Sequence, residues 1–467
     1  MRRTFIVAIT LLAMACSNDF IDLAPESDQN AAVFYNNASD MEQAVIAAYD
    51  ALQAPYGDNS IDHFAEVRSD NTFNDNTTQG GGIRADFDNF NLSSSNGVLN
   101  STWTEHYLGI QRCNIVLNRI NDIPDLSDQL KQVRSGEVKF LRALLYFNIV
   151  RIWGDAPLIL EETSDPLEGL NVTRDAASAI YTQIETDLTE AIGSLPALGN
   201  TDVGRATIGA AQTLLGKVYL TQGNYSGAVQ ILDQVSGYAL LPSFVTVFDI
   251  NNENNDESIF EVQFQSGTNG EGIDSDRFTE TDANNRPSPN IVNVFQANLD
   301  DRYDASIDST ANGNLFSGKQ VDVRGTDGTF GFNTIVLRYA DVLLMLAEAQ
   351  NELAYVADGE AFDNLNLVRA RANATPYTSA ELPDQESFRN AIALERRLEL
   401  AFENHRWFDL VRTGDALETM NAANAGGVDP NKASELPFTM ESHQTLFPVP
   451  LAQIDASGGS LTQNSGY

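Results

Sequence analysis

Cysteine is almost absent, with only Cys16 and Cys113 in 467 residues, so no disulfide framework can hold this chain together. An apolar core must do so instead, and a chain of this length is long enough to bury one. Cations are scarce, at 28 Lys and Arg against 65 Asp and Glu. A surface this acidic repels nucleic acid, anionic lipid and strongly anionic polymers. Histidine occurs four times, at His63, His106, His405 and His443, without metal-ligand spacing and without a Cys or Ser nucleophile motif beside it. The Asp and Asn clusters lack the spacing of an EF-hand, so neither a metal nor another cofactor is expected. After the first sixteen residues no apolar run approaches the roughly 20 residues of a membrane-spanning helix.

The first sixteen residues do carry a signal. Arg2 and Arg3 precede an apolar run from Phe5 to Ala15, which ends in Ala13-Met14-Ala15-Cys16. Small residues leading into a cysteine are a lipoprotein processing site, with Ala13 standing where Leu is usual. We read residues 1–15 as a signal peptide, Cys16 as the lipid attachment site and 16–40 as a tether. Loss of the leader leaves 26 basic against 65 acidic residues, net −39.

Beyond the tether, residues 41–467 read as one mostly α-helical domain. Ser39 or Asp40 can cap a helix through Met41, Ala44, Val45, Ala48 and Tyr49 that ends near Pro55. Further helices are expected from Trp103 to Ile120 and from Gly136 to Trp153, the second apolar on nearly all sides and therefore buried. Between Ala210 and Val235, residues Leu215, Gly216, Tyr219, Gly223, Ala228 and Leu232 keep the spacing of a tetratricopeptide repeat. A weaker copy begins near Ala340, with Ala349 at the close approach and Ala361, Leu365 and Val368 on the second helix. Ile259–Phe264 alternates as a short strand. Three long loops, about 56–100, 265–292 and 310–335, interrupt this scaffold and are the expected place for a binding surface.

Four motifs then give the chain a resemblance. Gly136-Glu137-Val138-Lys139-Phe140-Leu141-Arg142-Ala143 runs on to Tyr146-Phe147 and Trp153-Gly154-Asp155-Ala156-Pro157-Leu158. Arg338-Tyr339-Ala340-Asp341-Val342-Leu343-Leu344-Met345 leads into Ala347-Glu348-Ala349. A charged helix runs from Glu395 to Gly414, and the chain closes on Leu461-Thr462-Gln463-Asn464-Ser465-Gly466-Tyr467. In this order they resemble the SusD/RagB family, with Asn404 and Thr413 in place of the usual Gly and Trp. The resemblance implies a surface lipoprotein of the outer membrane that captures oligosaccharide over a SusC-like TonB-dependent transporter and catalyses nothing.

Sugar binding needs exposed aromatic faces for pyranose C–H surfaces, with amides, carboxylates and Arg for the hydroxyls. Trp103, Trp153 and Trp407 all lie in helical motifs and are assigned to the core. The candidates are therefore in the loops. The first holds Asp70, Asn71, Phe73, Asn74, Arg84, Phe87 and Phe90, the second Phe278 and Arg286, and the third Phe330 and Phe332. The first loop gains weight because sugar contacts in the resembled family generally include it. Charge favours a neutral glycan, held with micromolar to millimolar affinity if two or three rings contribute about 1 kcal/mol each. Two other readings remain open from the residues: a tetratricopeptide-type scaffold for a protein partner, and a surface glycoside hydrolase, which needs only two carboxylates. The run Glu395, Arg396, Arg397, Glu399, Glu403, Arg406, Asp409 and Arg412 reads as structural ion pairs rather than a relay.

Overall fold

The computed structural model describes residues 35–57, 61–74, 81–163, 171–267, 272–273, 285–311, 313–319, 321–322, 328–425 and 439–467. Cys16, the leader and the tether up to residue 34 lie outside the described residues.

The first described helix, α1 (Ala38–Asp50), is capped two to three residues earlier than expected. The Asn37 side chain accepts from the Asp40 backbone N–H at 3.0 Å, which puts Ser39 and Asp40 inside the helix. The stretch read as a long polar loop after it holds α2 (Gln53–Tyr56), α3 (Asp62–Ala65), β1 (Thr72–Asn74) and α4 (Gly81–Asp88). Every residue from Ile61 to Phe73 is buried. The expectation failed because polar composition was read as solvation, whereas these polar groups are hydrogen-bonded inside the protein.

The long helices follow the apolar periodicity. α5 (Gly97–Arg119) starts six residues before Trp103 and is capped by Asn96, whose side chain accepts from the Val98 and Leu99 backbone N–H groups. α6 (Asp128–Trp153) is capped by Ser127, and nearly all of it from Gly136 onward is buried, as its all-round apolar surface requires. α7 (Ala177–Ile192) packs along α6 and hands on to α8 (Ile208–Thr221) and α9 (Tyr225–Leu232). At the α8–α9 approach a Cβ on Gly216 would meet Leu232 at 2.3 Å, Gly223 turns the chain at φ +71°, and Ala228 is fully buried. Glycine and alanine therefore stand where the tetratricopeptide spacing places them, and for the reason of contact that this spacing implies.

β2 (Ser258–Val262) is buried at all five positions, so the half-solvated alternation expected there gives way to a strand covered on both faces. Its end falls two residues before the expected Phe264. β3 (Asn285–Pro287) leads into α10 (Pro289–Ala297), α11 (Arg302–Ser306), β4 (Ile307–Ser309), β5 (Leu315–Ser317) and β6 (Thr334–Arg338). The strands pair antiparallel as three two-stranded sheets, β1 with β3, β2 with β6 and β4 with β5. Next come α12 (Tyr339–Leu353) and α13 (Glu360–Arg371), the second helix pair, which bury Ala349, Ala361, Leu365 and Val368. α14 (Gln385–Glu399), α15 (Arg406–Thr413), α16 (Ala416–Ala425) and α17 (Leu451–Ala456) complete the described helices.

The C-terminal motif closes onto the end of α6. The Asn464 side chain donates to the carbonyls of Trp153 at 3.0 Å and Phe447 at 2.7 Å, while the Trp153 indole N–H donates to the Pro448 carbonyl at 3.2 Å. Trp103, Trp153 and Trp407 are core residues, as the sequence indicated, and Cys113 is buried with them. Among the described residues no helix is long and apolar enough to cross a membrane.

Candidate functional site

The three interrupting stretches meet in space. β1 of the first pairs with β3 of the second, setting Phe73 opposite Arg286 and Asn74 opposite Asn285. A bridge between Ile273 and Phe330 ties the second stretch to the third, and the Arg286 guanidinium donates to the Asn314 side chain at 3.0 Å.

The side chains do not behave as predicted, however. Asp70 is buried against two guanidiniums, accepting from Arg406 Nε at 2.8 Å and lying 2.9 Å from Arg397. Burial alone would raise its carboxyl, but Arg397 and Arg406 outweigh that and hold it below its ordinary value. Asn71, fully buried, accepts from Arg397 Nε at 2.9 Å and donates to Glu66 at 3.2 Å. Both residues fix the entry to β1 rather than face solvent.

The loop aromatics are core as well. Phe87 has no exposed surface and packs edge-on to Phe64 at 5.0 Å. Phe90 lies under the Arg68 guanidinium at 3.5 Å and beside Trp407 at 5.8 Å. Phe73 is buried, and so are Phe330 and Phe332, whose centroids lie 6.1 Å apart. A ring enclosed by protein has no face left for a pyranose, which corrects the assignment of these five rings to stacking. Each belongs to an apolar residue whose burial is favoured by its own area. Arg286 alone among the described candidates keeps partial exposure. The side chains of Asn74 and Arg84, and Phe278 as a whole, lie outside the described residues.

Two features escaped the sequence. Asn285 is 4 % exposed, and neither its amide nitrogen nor its amide oxygen has a hydrogen-bond partner among the described residues. The other is an open groove of about 830 Å³ between α1 and the end of β2. Its lining comes from within residues 43–53, 203–205 and 250–266, with Asp322 and Gly331, parts of the chain that no local motif links.

One wall of this groove is a hydrogen-bonded frame centred on Asn333. That amide donates to Glu261 at 2.8 Å and Gln263 at 3.1 Å, and accepts from the Phe264 backbone N–H at 2.8 Å. The Asn333 backbone N–H donates to Glu253 at 2.5 Å. Burial pushes the Glu253 carboxyl up to about 7, the Asn333 N–H opposes this, and the charges of Glu261 and Asp322 add to it. Among the described residues no cluster of His, Cys, Asp and Glu is arranged to hold a metal ion.

The charged run also finds partners other than those expected. Asp409 and Arg412 pair within one helix, but Glu395, Glu399 and Glu403 reach Arg302, Arg338, Arg369, Arg371 and Lys319 on other elements. These ion pairs are structural, and they tie separate elements together rather than neighbouring turns.

Comparison with known proteins places this fold. Residues 19–220 match a family described as starch-binding associating with outer membrane, and residues 279–467 match the SusD family. A SusD-like protein of Formosa agariphila is 28 % identical over 99 % of both chains, and one of Bacteroides ovatus is 26 % identical over 88 % of this chain and 82 % of its own. Among solved structures, a laminarin binding SusD-like protein superposes with TM-score 0.78 at 29 % identity, covering 93 % of this chain and 100 % of its own. A SusD superfamily protein from Bacteroides vulgatus superposes equally well, at TM-score 0.78, with 22 % identity. Two matching family descriptions along one chain, and a common fold across nearly all of it, make this protein a member of the SusD/RagB family.

Proposed function

We propose that this protein is a cell-surface glycan-binding lipoprotein that captures a neutral oligo- or polysaccharide and passes it to a SusC-like TonB-dependent transporter, without catalysis of its own. The observation that carries this reading is the likeness, at 29 % identity over 93 % of the chain, to a structure described as a laminarin binding SusD-like protein. The net charge of −39 after leader removal supports a neutral ligand, since a polyanion meets a repulsive potential at every approach. Anchoring at the outer membrane rests on Cys16, and we assign capture to the face where the three stretches meet, with Arg286 and the β1 position Asn74 as its candidates.

Affinity electrophoresis of the leaderless chain tests this. Gels carrying laminarin, starch, xylan or galactomannan are expected to retard it, and gels carrying alginate or carrageenan are not. Retardation by a polyanion that weakens with added salt, with none by a neutral polymer, would overturn the proposal.

A further inference from the structure

The groove between α1 and β2 has the size of a ligand site, and hydrogen bonds join the parts that line it. Its volume of about 830 Å³ lies within the ~300–1,000 Å³ typical of small-molecule sites. Gln43, Ile46 and Asp50 line it from α1, an element outside all three interrupting stretches. The Gln53 side chain donates across to the Gln263 carbonyl at 3.0 Å, and Gln263 and Asn254 exchange amide hydrogen bonds of 3.0 Å. With the Asn333 frame, these bonds fix the wall before any ligand arrives, which lowers the ordering cost of binding.

The chemistry of the lining selects the ligand. Three carboxylates are held in place by backbone N–H groups: Glu253 by Asn333, Glu261 by Asn254 at 2.9 Å and Asp322 by Gly331 at 2.8 Å. The one cation among the described lining residues, Arg205, is already tied to Glu137 at 2.9 Å and to Glu42. An anion therefore finds no free positive partner and meets several negative ones. A polyol finds fixed acceptors for its hydroxyls, with the exposed amides of Gln43 and Gln265 to donate and accept. Ile46, 52 % exposed, and Val203, 77 % exposed, offer apolar surface for sugar C–H faces.

We propose that this groove, which α1 and residues 203–205 share with Gln265, Ser266, Asp322 and Gly331 of the second and third stretches, is a saccharide-binding site, and that it takes a short neutral segment of the glycan. The inference rests on the reading that the chain binds glycan, and it adds to that reading a wall from α1 and residues 203–205 that the sequence did not indicate.

The test uses the leaderless full chain and calorimetric titration with laminarihexaose, maltohexaose, xylohexaose, mannohexaose and, as the cationic comparison, chitosan hexamer. The variants are Gln43→Ala/Gln265→Ala, Ile46→Arg and, on the other face, Arg286→Ala. Gln43, Gln265 and Ile46 are all exposed, so unchanged thermal melting is the control for folding. Groove variants are expected to bind the preferred neutral hexaose at least fivefold more weakly than the parent. Full affinity in both groove variants would overturn the inference, and so would binding of the chitosan hexamer in place of every neutral hexaose. A parent chain that binds no glycan removes the functional reading itself, and this outcome is distinct from a parent that binds while its groove variants bind equally well.

Discussion

Arg338 donates from Nε to the Glu403 carboxylate at 2.6 Å, with both side chains almost entirely out of solvent. The same guanidinium reaches Glu399 at 2.7 Å and Glu257 at 2.9 Å, so β6, α14 and the start of β2 converge on one arginine. Arg371 returns to Glu257 at 2.7 Å, and Lys319 to Glu403 at 2.6 Å. Burial alone would raise the Glu399 carboxyl, but Arg371, Arg338 and Arg302 outweigh it and hold the group down at about 2.

Removing the centre of this network leaves carboxylates buried without their partner. Arg338→Met is expected to cost about 3–5 kcal/mol of folding stability. Arg338→Lys should recover little, because an ammonium cannot reproduce the planar fork. Guanidinium chloride unfolding at pH 7 checks both. Acid unfolding of the parent checks the charge. The Glu399 value falls from 4.5 unfolded to about 2 folded, so its contribution is complete above about 4.5 and is lost as pH drops towards 2.

Glu66 titrates with the opposite sign. Burial pushes its carboxyl up to about 8, against the opposing donors Asn71 and Asn404. Its folded value lies above its unfolded 4.5, so the folded state holds the extra proton. The stability it confers is full below about 4.5 and falls as pH rises to about 8. Glu66→Gln removes the titration, so its stability should fall less steeply than the parent's between pH 5 and pH 8. Denaturant midpoints taken every half unit of pH would show it, and parallel curves for the two proteins would contradict it.

Gly216→Ala tests the helix-pair packing. The added methyl would meet the Leu232 side chain at 2.3 and 2.4 Å. Overpacking of this kind costs roughly 1–3 kcal/mol and is expected to exceed the ~1 kcal/mol of helix propensity gained. Gly97→Ala is the matched control, since its methyl would meet nothing within 4 Å. A lower melting temperature for the first and not for the second is the expected result.

How much of this was legible depended on how local the signal was. Gly216, Ala228 and the all-apolar stretch of α6 announce themselves within a few helical turns, because their packing partners recur at fixed spacing. Phe87 and Phe90 misled because a run of Asn, Asp and Gly around an aromatic reads the same whether water or protein solvates it. Here Trp407 beside Phe90, and Arg397 and Arg406 on Asp70, supply partners from far along the chain. The groove was invisible for the same reason, since Gln43, Val203 and Asp322 become neighbours only through the fold.

Asn285 gives the last prediction. Both polar atoms of its amide are buried and unpartnered among the described residues, at the strand position opposite Asn74. An unsatisfied buried donor or acceptor costs about 1–3 kcal/mol, whereas an apolar group of similar shape avoids that cost. Asn is also disfavoured in strands relative to apolar side chains. Asn285→Leu is therefore expected to stabilise the protein by about 1–3 kcal/mol, read as a higher denaturant midpoint with an unchanged slope. Asn285→Ala, which removes the amide but leaves a void, should gain less than the Leu variant. A lower midpoint for the Leu variant would show that the amide contributes to folding, and the reading of Asn285 as an unsatisfied group would fall.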